Sequence, residues 1–117
     1  INAHGTSTPM NDKSETLAVK GVFGDNAINV PISSTKSMIG HALGAAGGIE
    51  SVASVLMLRG GFVHPSINCE DVHPEIETFA GSIPHVVREM PELDTMIKAG
   101  FGFGDVNACV IFRRWSD

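Results

Sequence analysis

The hydrophobic positions change period along the chain, and each change predicts an element. Residues 1–8, INAHGTST, begin as a short apolar strand that breaks at Gly5, and TSTPMND is turn chemistry leading into a helix. Asp12 with Glu15 three residues later resembles a capping box, and a helix over 12–23 sets Ala18, Val19, Val22 and Phe23 along one stripe. Glu15 leans toward that apolar side; a glutamate that only returns to the helix start is the alternative. Gly24-Asp25-Asn26 stops this helix, and INVPISSTK predicts a second strand, with Pro31 favouring an edge or early position.

The segment 41–59 is apolar on every side, from Ala42 and Leu43 through Ile49 and Val52 to Leu58, which predicts a central helix buried all round. Gly44, Gly47 and Gly48 lower helix propensity and predict close approach of other backbone. GGFVHPSINCEDVHPEI reads as a turn, an extended segment and a loop whose prolines oppose helix, and GSIPHVVREMPELDT as extended polar surface. MIKAGFGFGDVNACVIFRRW closes the chain as strand, glycine-rich loop and strand, with alternation weak enough to predict burial on both faces. The order β-α-β-α-β-β predicts an α/β fold with a mixed sheet and an antiparallel close.

Composition narrows the function classes. At 117 residues and 43% hydrophobic, the chain has apolar mass for one modest core. Thirteen acidic against eight basic side chains, a net charge of −5 and no basic cluster exclude a nucleic-acid-binding class. Cys69 and Cys109 have no metal spacing, fit a reducing compartment and read as small buried hydrophobes. The apolar run 42–58 is interrupted by Glu50 and is shorter than the roughly 20 residues of a membrane span. No signal or transit pattern is visible, and the chain opens on INAH without a Met and as if in mid-strand, which predicts a fragment or processed product.

The chemistry concentrates in TKSMIGHALGAAGGIE, residues 35–50. Glu50 is the only formally charged residue between His41 and Leu58, and burying it alone is costly. Pairing with Lys36 across the strand-to-helix corner would satisfy both; a glutamate reaching solvent from a one-sided helix is the alternative. His41 lies at a helix N-terminus, where unpaired N–H groups and the dipole favour a neutral ring. His4 ends a strand and precedes a glycine, a place where α/β folds often carry catalytic groups. Taken singly, either histidine could be structural, and His64, His73 and His85 read as surface residues. GFGFGD could be a turn, a phosphate cradle or a hinge, but its place between strands argues against a dinucleotide site.

Together, NAHGTSTPMNDKSE, SSTKSMIGHALGAAGGIES and GFGFGDVNACVIF, in this order and spacing, resemble the C-terminal part of type II β-ketoacyl-acyl-carrier-protein synthases. VHPSIN and IPHVVRE match between them. The resemblance implies that residues 1–117 form the C-terminal half of a thiolase-like ketosynthase domain, a mixed sheet with a buried central helix shared with a first half that carries the nucleophilic cysteine. Neither Cys69 nor Cys109 stands in that cysteine's setting. The implied reaction is the decarboxylative Claisen condensation of an acyl thioester with malonyl-carrier protein in fatty-acid elongation, an acyltransferase activity that this segment alone would lack. The alternatives are a non-catalytic chain-length-factor partner and a polyketide-synthase ketosynthase domain.

By the same resemblance, His4, His41 and Lys36 are the catalytic set, the two histidines donating hydrogen bonds to the malonyl thioester carbonyl. Lys36 is the lysine that pairs with Glu50, and Asp12 and Glu15 support that network. Thr6 and Thr8 contact the pantetheine arm, Phe103 is the gating phenylalanine, and Gly102, Phe103 and Gly104 form the oxyanion loop. No resident cofactor is implied, since phosphopantetheine arrives on the carrier protein. The implied partners are acyl carrier protein, malonyl and acyl thioesters and the remainder of the ketosynthase chain, in a homodimer without nucleic acid or membrane; the implied location is the cytoplasm, with an organelle as the alternative, since any transit peptide would lie outside this segment. The chain departs from the pattern at Asp105, which follows Gly104 where Gly-Gly is usual, and in FRRW near the end. Ala99-Gly100 replaces the usual Asn-Ser, a departure at the family's structural cation site, and no metal is expected.

Overall fold

The first helix starts earlier than the hydrophobic pattern predicts. In the computed structural model, which describes residues 1–115, α1 spans Pro9–Phe23, and the Thr8 side chain accepts a hydrogen bond from the Asn11 N–H. Pro9 sits in the first turn, where its missing N–H costs nothing, and this Thr-Pro pair sets the helix start ahead of Asp12. Asp12 lies in the first turn, where a carboxylate suits the helix dipole. Of the predicted stripe, Val19 is buried and Phe23 half-buried, whereas Ala18 and Val22 face outward. Val19 packs with Ala27 and Phe79 in one of two small cores.

Much of the predicted second strand is not a strand. Residues Gly24–Asn29 form a 3-10 helix, and the pairing that survives is at Ser33. Asn2 bridges in parallel to Ser33 on one side and to Lys98 on the other, so the first residues run as a thread between two neighbours. A short helix α2 (Lys36–Ile39) follows, then a 3-10 turn (Leu43–Ala45) and α3 (Ala46–Gly60). The long helix therefore begins later than residue 41, after positive φ values at Gly40 and Leu43.

The helix α3 is also not buried all round. It turns Ala46, Glu50, Ser54, Met57 and Leu58 inward, while Val52 is 61% and Leu56 55% exposed. A methyl group added at Gly44, Gly47 or Gly48 would meet nothing within 4 Å, so the close backbone approach predicted at these glycines is absent among the described residues.

Strand β1 (Phe62–Val63) pairs antiparallel with β2 (Arg88–Glu89), and a 3-10 helix (Pro74–Ser82) lies between them. That helix begins at the end of the stretch whose prolines oppose helix and runs into the one that reads as extended; Pro74 opens it, where proline is tolerated. Strands β3 (Thr95–Gly102) and β4 (Val106–Arg113) form the predicted hairpin, in register from Thr95↔Arg113 to Gly102↔Val106. Its loop, residues 103–105, turns with positive φ at Gly104 and Asp105. Strand β4 is exposed along most of its length, contrary to the burial predicted for both faces, and Cys109 on it is exposed; Cys69 is half-buried. Ser33, the 1–4 segment, β3 and β4 thus lie side by side as a mixed sheet, parallel on one side and antiparallel on the other. Met57, Leu58, Val63 and Met96 form the core where α3 meets β3.

Candidate active site

The 1–4 segment, α1, α2 and α3 converge on one buried cluster of charge. Glu50 is 1% exposed, with Oε1 2.6 Å from Lys36 Nζ and Oε2 2.7 Å from Lys98 Nζ. The predicted Lys36–Glu50 pair is therefore present, and the alternative of a solvent-facing Glu50 is excluded. Lys98, 3% exposed and unsuspected from sequence, makes the pair a triad. Glu15 adds a second buried carboxylate: Oε1 accepts from the His4 N–H at 2.7 Å, and Oε2 accepts from the Gly5 N–H at 3.0 Å and from Asn11 Nδ2 at 3.2 Å. Two ammonium groups and two carboxylates balance inside the fold, the condition under which buried charge is tolerable.

This cluster grips His4. Lys36 Nζ donates to the His4 carbonyl at 2.6 Å while Glu15 holds the N–H of the same residue, so both backbone groups of His4 end on side-chain charges. Gly5 turns with φ +47°, and a Cβ there would lie 2.5 Å from Ser34 Cβ, so the chain can leave His4 in this direction only with glycine. The His4 Nδ1 accepts from the Phe101 N–H at 3.4 Å and faces Lys36 Nζ at 3.5 Å. Both neighbours are donors only, so Nδ1 carries the lone pair and Nε2 the hydrogen.

His41 reaches the same tautomer by another route: the Leu43 N–H donates to its Nδ1 at 3.0 Å, leaving Nε2–H as the donor. The two rings stand edge to face with centroids 5.6 Å apart, and Phe101 packs edge-on to His4 at 5.5 Å. His4 is buried and His41 exposed in this chain. Two neutral imidazoles presenting N–H groups at one place can hold an oxygen on which negative charge develops.

Burial lowers the His4 pKa, and Lys36 lowers it further, with Glu15 acting in the opposite sense. Burial raises the Glu50 carboxyl, but hydrogen bonds from Lys36 and Lys98 outweigh it and hold the group below its ordinary value. Burial pushes Lys98 below the ordinary lysine value despite Glu50 beside it.

Of the remaining predicted residues, Asp12 reaches the cluster at one remove, through Asn11, whose amide also touches Glu15. The Thr6 and Thr8 hydroxyls lie 3.1 Å apart at the start of α1, with Thr8 serving as its cap. Phe103 is fully exposed at the hairpin tip, beside Gly102 and Gly104. A pocket of about 400 Å³ opens beside the cluster and is lined by Thr6, Asp12, Glu15, Lys36, His41 and Cys69 among others.

Sequence reasoning missed two further residues. Asn2, fully buried, donates through Nδ2 to the Thr35 hydroxyl at 2.9 Å, the Glu50 carbonyl at 3.1 Å and the Ser54 hydroxyl at 3.0 Å, bolting the first strand to α3. His64, read from sequence as a surface residue, is 6% exposed. Its Nδ1 donates to the Pro65 carbonyl, which leaves Nε2 to accept from Thr35 at 2.9 Å. A polar residue inside a short apolar strand was the available signal for Asn2; none marked His64.

The depressed His4 and His64 values carry a pH prediction. Burial lowers both below the ordinary 6.5, so at mildly acidic pH the unfolded chain binds more protons than the native one. The melting temperature should therefore fall as pH drops through 6.5, and fall again below 4.5 as Glu50 loses its advantage. Thermal unfolding across this range checks it; a melting temperature that rises on acidification to about pH 5 would have the wrong sign.

The family's structural cation, at whose site the sequence departs from the pattern, does not fit these residues. Ala99 and Gly100 offer no side-chain oxygen, and the Lys98 ammonium already contacts Glu50 Oε2 and the Ala99 carbonyl. Among the described residues no group of three His, Cys, Asp or Glu could hold a metal ion.

Comparison with known proteins shows which family the chain resembles. Residues 1–70 match the model of the β-ketoacyl synthase C-terminal domain. The chain is 46% identical over 117 residues to 3-oxoacyl-[acyl-carrier-protein] synthase 2 of Coxiella burnetii, aligning all of this chain with 28% of that protein. It is 45% identical to 3-oxoacyl-[acyl-carrier-protein] synthase 1 of Escherichia coli K12, again over all of this chain and 28% of the relative. In structure it matches a ketosynthase solved as the AntDE:AntF complex with a type II polyketide acyl-carrier protein, with a TM-score of 0.87, 40% identity, and coverage of 96% of this chain and 27% of that one. The chain thus spans about 28% of the length of the curated relatives it matches. With residues 1–70 matching the family model, 45–46% identity to these relatives over the whole chain and a matching fold, the chain belongs to the β-ketoacyl synthase family and has the thiolase-like ketosynthase fold.

Proposed function

We propose that this chain is the C-terminal portion of a 3-oxoacyl-[acyl-carrier-protein] synthase and supplies the decarboxylation half of its active site. His4 and His41 donate Nε2–H hydrogen bonds to the thioester carbonyl of a malonyl group carried on acyl carrier protein. The bond to the malonyl carboxylate breaks, carbon dioxide leaves, and the electron pair becomes an enolate whose oxygen lies between the two donors. The enolate carbon attacks an acyl thioester on a cysteine contributed from outside this segment; the thiolate leaves and the 3-oxoacyl product stays on the carrier. Charge on the oxygen grows as carbon dioxide departs, so neutral fixed donors stabilise the transition state more than the bound substrate. The observation that carries this reading is the pair of Nδ1 atoms, each engaged by a backbone N–H, which leaves Nε2–H of both rings as donors. Thr6 and Thr8 contact the pantetheine arm, and Phe103 in its glycine loop gates the acyl group.

The exposed apolar face supports a larger domain. The chain exposes 7284 Å², against roughly 6,100 Å² for a folded monomer of its mass. Val52 and Leu56 on α3, with Val106 and Ile111 on β4, contribute to the excess, and the remainder of the ketosynthase, carrying the nucleophile, would cover them. A cytoplasmic homodimer acting on carrier-bound thioesters follows from the same reading. Among the described residues no helix is long and apolar enough to cross a membrane.

The test is carbon dioxide release from malonyl-carrier protein by the complete protein that carries this chain. Release followed by 3-oxoacyl product supports a synthase. A folded protein that binds carrier protein without releasing carbon dioxide would point instead to a non-catalytic partner.

A further inference from the structure

Lys98 has no role in the reaction outlined above, yet it is among the most buried charged groups in the chain. Met96, the preceding inward residue of β3, is 2% exposed in the apolar core, and an apolar side chain would suit the next inward position too. The Lys36–Glu50 pair is neutral without a second lysine, and although Lys98 balances Glu15 in the charge count, both oxygens of that carboxylate already end on N–H donors. The backbone around Lys98 supplies a reason.

The 1–4 segment and β3 pair in parallel through Asn2 N–H to the Ile97 carbonyl and Ala99 N–H to the Asn2 carbonyl. In a parallel ladder the next bond would run from the His4 N–H to the Ala99 carbonyl. Glu15 captures that N–H instead, which turns His4 out of the ladder and removes the donor due to Ala99 O. The carbonyl of Ala99 and Oε2 of Glu50 are then two interior oxygens in need of positive charge. The Lys98 ammonium contacts both.

We propose that Lys98 is an internal cation that positions His4: its ammonium closes the ladder at the point where the chain departs toward the site, fixes Glu50, and makes this cluster independent of a bound metal ion. Through Glu50 it also fixes Lys36, which holds the His4 carbonyl. Lys98 is a positioning residue, since it acts through these groups and touches no reacting atom.

Replacing lysine by serine leaves a space lined by a carboxylate and a carbonyl oxygen, chemistry that suits potassium or ammonium. The experiment compares the complete wild-type protein, Lys98→Ser and Lys98→Arg in potassium, ammonium and tetramethylammonium chloride at equal ionic strength. Melting temperature, the His4 ring-nitrogen NMR shift and carbon dioxide release are read together. Wild type and Lys98→Arg should not distinguish the salts. Lys98→Ser should lose stability and shift the His4 signal in tetramethylammonium, with carbon dioxide release down about 10- to 100-fold, and small cations should restore all three. A wild-type melting temperature that depends on which cation is present would overturn the proposal. So would a Lys98→Ser protein unchanged in tetramethylammonium or equally impaired in every salt. If Lys98→Ser does not fold in tetramethylammonium, Lys98→Met with Glu50→Gln should fold, and its failure would count against the idea. The activity arm rests on the ketosynthase reading; the thermal and NMR arms do not, so the two can fail separately.

Discussion

Replacing His4 by alanine in the complete protein should lower carbon dioxide release from malonyl-carrier protein by about 10²- to 10³-fold, the usual effect of losing one oxyanion donor. Acyl transfer to the nucleophilic cysteine should survive, because no contact of His4 ties it to that earlier step. The loss should appear in kcat more than in KM, since the hydrogen bond strengthens as the enolate forms. His41→Ala should behave similarly, and the double variant should fall well short of the product of the two losses if both donors hold one oxygen. Release assays with single and double variants decide this. Multiplicative effects, or a variant that loses acyl transfer first, would remove the shared-oxygen account.

Replacing Glu50 should be the most destabilising single change. Both Lys36 and Lys98 end on this carboxylate, so Glu50→Ala strands two ammonium groups in the interior. Breaking one buried pair costs roughly 3–5 kcal/mol, and this variant should lie at the upper end or beyond it. Lys36→Met should cost less, because Glu50 keeps Lys98. From the sequence, with one lysine in view, the two partners of the pair would have looked equivalent; the second lysine breaks that symmetry. Chemical denaturation of the three proteins gives the comparison. A Lys36→Met protein less stable than Glu50→Ala would show that Lys98 does not share the load.

How much of this was legible depends on the range of the interactions. The hairpin of β3 and β4 followed from a strand pattern interrupted by glycines, and its loop needs positive φ at Gly104. The grouping of His4, Lys36, His41 and Glu50 was legible because ordered motifs carried it, where spacing alone left Glu50 free to face solvent. Lys98 was hidden because a lysine in a strand ordinarily points outward, and nothing local shows that its partner lies on α3. His64 was hidden likewise, since its burial is created by Thr35 and the chain around it. The start of α1 was misplaced although Thr8-Pro9 marked it, because the Asp12/Glu15 spacing imitated a cap while Glu15 was committed elsewhere. The faces of α3 and β4 were read as buried from hydrophobicity alone, and hydrophobicity does not say which chain does the burying.

The central claim is that a charge-balanced interior holds His4 as a neutral Nε2–H donor. Nitrogen-15 NMR of ring-labelled histidine in the complete protein, assigned through His4→Gln, reads this directly at neutral pH. A neutral ring with its hydrogen on Nε2, shifting when Glu50 is replaced, is the expected spectrum. A protonated ring, an Nδ1–H tautomer, or a signal indifferent to Glu50 would contradict the account.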